Sequence, residues 1–430
     1  MIVYPIYIFL IIVAVGLNII GKRVLKERWI LAWGYGIPAL IMVIFLLTVS
    51  QPSTLFNDFN KAYYPAGQLI FKDPASLYKE ECHTGFVNLP IIALLCLPFS
   101  VLNLGAAQIL VSILSLVCLG AVFYILIRYN KTSKNEILLI GGLFAINGPL
   151  AYSLREGNST HFVLLLLLAA LICLGTNREV WSGILLAISA LIKLPLFIFG
   201  VYFLLRGRWR GLLGMSVATV AIVGASLLLF GIDLHQVWLQ QCVQPNAGNP
   251  VAAYNVQSLD GFLARLLTDG NLFNWKPLVV GWQFKTIRYL LLSLLVGGTI
   301  WICWRSKPPI TPEEQNVEFS IVLCMAVIIS PISWTHYYLF LLLPLSLYLG
   351  KRLAVPRERF WFNLIMLSVL LMSLPVKRFK LDDPTLMFLI SKILISHYFY
   401  GGLLLMGVLL AARSHRFQPS QLPSNLQNSD

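Results

Sequence analysis

Apolar runs of about 20 residues recur along this chain, parted by short basic clusters, and that is the length a helix needs to cross the hydrocarbon core of a bilayer. Segments 3–20, 29–49, 105–127, 136–153, 159–175, 212–230, 284–304, 317–333, 336–350, 360–375 and 386–412 meet this length or nearly so. Composition agrees: 58% of the residues are hydrophobic and 12% charged, where a soluble domain carries about 25% charged. A single water-soluble core rarely grows beyond roughly 250–300 residues, so a cytosolic enzyme, a disordered protein and a secreted disulfide scaffold are excluded. The expected fold class is all-α: a polytopic membrane helical bundle of about 11 crossings with re-entrant segments. Residues 1–413 are expected to form one integral membrane domain, and the Ser-, Gln-, Pro- and Asn-rich tail 414–430 to be disordered.

The net charge of +14 sits in the connections between apolar runs, as the positive-inside rule expects of cytoplasmic loops. It therefore reads as topology and not as a nucleic-acid partner. Lys22, Arg23, Lys26 and Arg28 place the first connection inside. Arg128 with Lys131 and Lys134, Arg206 with Arg208 and Arg210, Arg305 with Lys307, the cluster Lys351 to Arg359, and Arg413 with Arg416 follow it. Met1 to Ile20 lacks a basic start and a small-residue cleavage site, which reads as a first membrane helix. The expected location is the plasma (inner) membrane.

Alternation of sides forces two irregular segments. Residues 87–103 are read as a re-entrant or membrane-lying helix. Residues 179–205 start and end on the basic side with Lys193-Leu194-Pro195 near the middle, and proline breaks a helix, so a hairpin dipping into the membrane is predicted. Irregular backbone at that depth survives only where protein or water satisfies it. Two outer loops, 50–86 and 231–283, exceed ordinary connection lengths. No internal repeat is visible, which disfavours inverted-repeat transporters. Of seven cysteines, five lie in apolar segments as packing residues, while Cys82 and Cys242 lie in outer loops where an oxidising compartment permits pairing.

The polar residues that break this pattern are the candidates for chemistry. Asp58 is the first carboxylate past the helix 29–49, among aromatics, and low dielectric makes a carboxylate a stronger base. An ordinary helix-capping Asp is the alternative. Arg155-Glu156-Gly157-Asn158 is either a plain turn or a binding element. Lys193, ionisable inside the membrane, is a functional hypothesis by default, with snorkelling to the interface as its alternative. Tyr254 to Leu259 is a polar patch followed by Arg265, and Ser258 also suits a helix cap. His336 in Ser330-Pro331-Ile332-Ser333-Trp334-Thr335-His336 is a base, acid or phosphate donor near neutral pH, or a structural histidine among aromatics. Val376 to Lys380 is basic yet falls outside by alternation; either the topology slips there or the cluster meets an anionic headgroup.

Taken in order, these pieces resemble glycosyltransferase family 87 of the GT-C superfamily. The family's Asp-Phe and Tyr-Tyr-x-Ala elements stand as Asp58-Phe59 and Tyr63-Tyr64-Pro65-Ala66, with one extra residue between them. Asp73 to Tyr78 resembles a Gly-x-x-Pro-Leu-Tyr stretch, while Asn88-Leu89-Pro90 departs from the family's Tyr-Pro-Pro. Glu156-Gly157-Asn158 resembles Gly-Gln-Val-Asn without the glutamine, and Ile192-Lys193-Leu194-Pro195 is one residue shorter than Ile-Lys-x-x-Pro. Val256-Gln257-Ser258-Leu259 reflects Asn-Gln-Ser-Leu, and Ser-Pro-x-Ser-Trp-x-His is intact from Ser330 to His336.

The resemblance covers roughly residues 30 to 350 and implies an inverting hexosyltransferase with its site on the extracytoplasmic side. The sugar, typically mannose, would pass from a polyprenyl-phosphate donor to a glycan or glycolipid acceptor. Asp58 would be the general base and His336 its assistant or a phosphate ligand. Lys193 and Arg265 would hold the donor phosphate, and Glu156 would belong to the same binding set. Gln257, Ser258 and Asn158 would fix sugar hydroxyls, and Tyr63, Tyr64 and Trp334 would offer apolar faces. No cofactor is expected beyond the lipid-linked donor, no metal ligands are assigned, and the requirement for a metal stays open. A transporter or flippase of lipid-linked sugars, or a glycan polymerase or ligase, uses similar elements and stays open as an alternative.

Overall fold

The computed structural model describes residues 55–78, 85–130, 132–374 and 383–414, and positions 36 and 40 besides. The apolar segments 3–20 and 29–49 otherwise lie outside the described residues, as do Cys82, the basic cluster 376–380 and the tail from 415. The chain is an all-α bundle, and the extended pairing among the described residues is an isolated bridge between Val256 and Trp334. Its first half comprises α1 (Tyr64–Lys72), α2 (Leu104–Asn130), α3 (Lys134–Ala145), α4 (Gly148–Glu156), α5 (Thr160–Gly175), α6 (Glu179–Ile192) and α7 (Ile198–Leu205). The second half comprises α8 (Trp209–Trp238), α9 (Leu259–Leu267), α10 (Trp282–Arg305), α11 (Pro312–Ile329) and α12 (Leu342–Leu349), then α13 (Arg359–Ser373), α14 (Pro384–Lys392) and α15 (His397–Ser414). One apolar core runs from Ala66 to Ala412. Large side chains on α8 and α10, among them Leu228 and Trp304, face outward, as lipid contact requires.

Among the described residues four helical stretches are long and apolar enough to cross a bilayer: Leu104–Asn130, Trp209–Asn246, Trp282–Arg305 and Thr385–Ser414. The pair α3 and α4, bent by 53°, makes a fifth if counted as one span. Of the about 11 crossings expected, segments 3–20 and 29–49 lie outside the described residues, and several others are shorter helices. The expected spans 159–175 and 360–375 are helices of 10–17 residues, and 336–350 is a 3₁₀ turn continuing into α12. Hydropathy registers the length of an apolar run but not the places where proline and glycine interrupt its helix. Residues 90–100, inside the expected re-entrant stretch 87–103, form a helical piece too short to span.

Residues 179–205 fold back on themselves as a helical hairpin. Its two ends meet at an ion pair between Arg208 and Glu179 at 3.0 Å, so the chain enters and leaves on one side. Lys193, with extended-side dihedrals, ends α6, and Pro195 opens a 3₁₀ turn that leads into α7. The hairpin packs through glycine: a Cβ on Gly183 would sit 2.1 Å from the Gly211 carbonyl oxygen, and one on Gly214 2.3 Å from that of Val180. The backbones of α6 and α8 are therefore in contact, which fixes the depth of the apex.

Opposite the apex, charges gather in a rim. Glu318 receives the Arg206 guanidinium and, at 2.8 Å, that of Arg413, while Arg352 pairs with Glu313 and Lys351 with Glu136, each at 2.7 Å. The central helix α11 starts at this rim behind a Thr311–Glu314 capping box with Pro312 at its first turn, and ends at Ser330-Pro331 on the far side. The loop cysteine Cys242 is disulfide-bonded and the five cysteines of the apolar segments are free. We predict that Gly183→Val, which forces two backbones apart, lowers unfolding stability by about 1–3 kcal/mol. Gly297→Ala on α10, where nothing lies within 4 Å of the new Cβ, is expected to leave the melting temperature in a lipid nanodisc unchanged.

Candidate active site

The helix ends remote from the rim surround a cavity of about 470 Å³. One wall is the turn after residue 55. Phe56 takes φ +58° and donates its N–H to the Arg155 carbonyl at 2.7 Å, tying this turn to α4. Phe59–Tyr63 is a single π-helical turn directly preceded by Asp58, whose side chain makes no capping hydrogen bond to it. Its wider winding brings Asp58, Ala62 and Tyr63 to the cavity together, and π turns of this kind recur at functional sites. The second wall is the end of α4. Asn147 caps that helix by accepting from Leu150 N–H at 2.8 Å, and Gly157 ends it in the left-handed region at φ +64°. A side chain at Gly157 would meet the Phe59 Cβ at 2.8 Å as well as the strained φ, so glycine lets the two walls close on each other.

Asp58 is half-buried, and Asn158 Nδ2 donates to its Oδ2 at 2.6 Å. Asn158 Oδ1 accepts from Lys193 Nζ at 3.2 Å, and that ammonium lies 4.8 Å from the centre of the Tyr337 ring. Desolvation pushes the Asp58 carboxyl above the usual carboxylate range; the Asn158 hydrogen bond and the charges of Lys193, Arg155 and Lys61 oppose it without cancelling it. Arg155 is occupied by Glu156, its Nε donating to Oε1 at 3.0 Å, and its guanidinium lies 4.9 Å from the Tyr152 ring centre.

The third wall comes from the loop after α11. Extended residues Asn255 to Gln257 pair with Ser333 to Thr335: Gln257 N–H donates to Ser333 O at 2.6 Å and Thr335 N–H to Asn255 O at 2.9 Å. Trp334 and His336 thereby reach the cavity. His336 stacks on Tyr152 with ring planes 17° apart, and among the described residues neither of its ring nitrogens has a hydrogen-bond partner. Asn255 joins Tyr152 and Trp275, receiving the Trp275 indole N–H at 2.9 Å and donating to the Tyr152 hydroxyl at 3.3 Å.

Of the residues singled out in the sequence, Asp58, Tyr63, Glu156, Asn158, Lys193, Trp334 and His336 line this cavity. Lys193 is 5% exposed and points to Asn158, so it does not snorkel. Four others do not line it. Tyr64 donates its hydroxyl to the Leu102 carbonyl at 2.8 Å. Gln257 binds the carbonyls of Tyr254 and Ile395 and receives Phe399 N–H. Ser258 caps α9 through Gly261 N–H at 3.1 Å. Arg265, 1% exposed, donates to the carbonyls of Ala253 and Val256 and to Ser396 Oγ. These last three build the frame that presents Asn255 and Trp334.

Sequence reasoning assigned no role to Tyr152, Tyr337, Asn255 or Trp275. Tyr152 lies one helical turn before Glu156, a periodicity that offered a signal; Trp275 carries none in a loop of irregular composition. Among the described residues no group of three or more His, Cys, Asp or Glu forms a metal-binding cluster.

Comparison with known proteins follows this geometry. The chain is 28% identical over 211 residues to a polyprenol-phosphate-mannose-dependent alpha-(1-2)-phosphatidylinositol pentamannoside mannosyltransferase of Mycolicibacterium smegmatis, an overlap of 47% of this chain and 48% of the relative. The protein of that description from Mycobacterium tuberculosis strain CDC 1551 is 28% identical over 43% of this chain and 39% of its own length. A polyprenol-phosphate-mannose-dependent alpha-(1-2)-phosphatidylinositol mannoside mannosyltransferase of Mycobacterium tuberculosis H37Rv is 25% identical over 77% of each chain. The chain thus spans less than half the length of the first two relatives. No solved structure matches it. Residues 86–331, more than half of the sequence, match the description of glycosyltransferase family 87, and the chain belongs to that family.

Proposed function

We propose that this protein is an inverting membrane hexosyltransferase that moves a sugar, mannose first among candidates, from a polyprenyl phosphate to a hydroxyl of a glycan or glycolipid. The observation that carries the reading is the juxtaposition of Asp58 and Lys193 across Asn158 in one cavity of a family 87 chain. The names of the relatives supply the donor class: each is described as polyprenol-phosphate-mannose-dependent.

The chemistry follows from the charges. An acceptor hydroxyl beside Asp58 gives its proton to the carboxylate while its oxygen bonds to the anomeric carbon. The bond from that carbon to the phosphate oxygen breaks, and its electron pair leaves on the polyprenyl phosphate. Attack opposite the leaving group inverts the anomeric centre and needs one base. A cation near the departing phosphate stabilises the charge that develops there, and the Lys193 ammonium suits that part. His336, with unpartnered ring nitrogens, suits a hydrogen bond to the phosphate or acceptor. Trp334 and Tyr63 suit contact with sugar faces.

The reading extends to topology. The short helices α5, α12 and α13 count as crossings in a GT-C bundle of about 11. The basic rim faces the cytoplasm under the positive-inside rule, and the cavity opens on the extracytoplasmic side of the plasma membrane.

Turnover of a prenyl-phosphate mannose with a labelled acceptor tests the assignment. Removing a general base costs about 10²–10⁴-fold, so Asp58→Asn is expected to lose that much in kcat while still binding donor; unchanged turnover contradicts the assignment. Lys193→Met is expected to raise KM for the donor and lower kcat, with acceptor KM little changed. The pH profile carries a sign. Asp58 works unprotonated and its proton affinity is raised, so kcat/KM falls as pH drops through a value above the ordinary carboxylate range. A profile flat down to that ordinary range contradicts it.

A further inference from the structure

Asn158 separates the two opposite charges of the cavity. Its Oδ1 accepts from Lys193 Nζ at 3.2 Å, from Thr160 N–H at 3.1 Å and from Thr160 Oγ1 at 2.6 Å. An amide NH₂ only donates, so these three donors determine which end of the amide is oxygen. The nitrogen is thereby left facing Asp58 Oδ2 at 2.6 Å. The side chain belongs to a residue 4% exposed and follows the left-handed Gly157, which seats it against the turn carrying Asp58. Its oxygen is engaged by the protein, and of its two N–H donors one is given to Asp58.

We infer that Asn158 is a positioning residue, a neutral spacer that aims the Asp58 carboxylate and keeps the Lys193 ammonium from closing onto it as a direct ion pair. The consequence for catalysis rests on the reading of Asp58 as the base; the spacing itself does not. An opposite charge in direct contact lowers a carboxylate's proton affinity by about 1–3 pH units. A base weakened that far, beside a cation no longer free for phosphate, would lose both functions together.

The surrounding charges leave Lys193 as the group to be released. Lys61 and Tyr63 approach Asp58 from its own turn, and Lys61 is solvent-exposed. Tyr152, Arg155 and Glu156 face the cavity from α4, with Arg155 held by Glu156. His336 and Tyr337 face it from the turn after α11. Lys193 donates to Asn158 alone among the hydrogen bonds of the described residues, and its long side chain has freedom to cross the gap that a smaller residue would open.

The test reads protonation directly and needs no substrate. A hydrophobic carbodiimide labels protonated buried carboxyls, and peptide mass spectrometry of the full chain in lipid nanodiscs gives the pH midpoint at residue 58. Asn158→Ala removes the spacer together with a hydrogen bond that favours the carboxylate; direct contact with Lys193 is expected to outweigh that loss and move the midpoint down. Asn158→Asp keeps acceptors for Lys193 and Thr160 but sets a second carboxyl against the first, and is expected to move it up. Adding Lys193→Met to Asn158→Ala is expected to abolish the downward shift. Unmoved midpoints, shifts of one sign in both single variants, or a downward shift surviving without Lys193 each overturn the inference. Should Asn158→Ala fail to fold, the upward shift in Asn158→Asp decides. Failure of the proposed function appears separately, as native protein that labels as expected yet forms no glycoside from donor and acceptor.

Discussion

Charge is costly inside a bundle of apolar helices. Each buried ion forfeits several kcal/mol of hydration unless the protein replaces it, and this chain meets that constraint in two different ways at its two ends. At the rim, carboxylates and guanidiniums neutralise one another: Glu318, 1% exposed, lies between Arg206 and Arg413 and thereby joins the ends of α7, α11 and α15. In the cavity, Asp58 and Lys193 share an amide instead of a contact. Pairing at the rim yields stability. Spacing in the cavity leaves a carboxylate and an ammonium out of direct contact with each other.

The cavity groups come from places where regular helix stops. Asp58 directly precedes a π turn, Asn158 follows a left-handed glycine, Lys193 ends α6 before Pro195, and His336 follows the break at Ser330-Pro331. Irregular backbone has unsatisfied polar groups, so in a membrane protein it persists where other protein or water completes it. The bridge between Val256 and Trp334, backed by the buried Arg265, does so here. The stretch between α8 and α10 thus acts as a frame for the cavity.

Much of this was legible in the sequence for a physical reason. Asp58, Lys193 and Asn158 are polar side chains that interrupt apolar runs, and such interruptions are conspicuous because they are expensive. The helical hairpin over 179–205 followed from basic residues at both ends and a proline between. The role of each polar side chain was less visible. Gln257, Ser258 and Arg265 share the composition of a binding motif, yet their partners are backbone carbonyls and amides brought near by the tertiary fold. Tyr152 and Trp275 were passed over because an aromatic ring in an apolar chain looks like packing. Which apolar segments are continuous long helices was not visible, because apolar length persists across a broken helix, as at the 53° bend between α3 and α4.

The central claim, that this cavity receives the phosphate of a lipid-linked sugar, is tested most directly by photo-crosslinking with a prenyl-phosphate sugar analogue carrying its reactive group next to the phosphate. The account predicts crosslinked peptides containing Lys193 and the stretch Trp334 to Tyr337, competed away by unlabelled donor. Crosslinks confined to the rim around Arg206, Arg208 and Arg413 would contradict it.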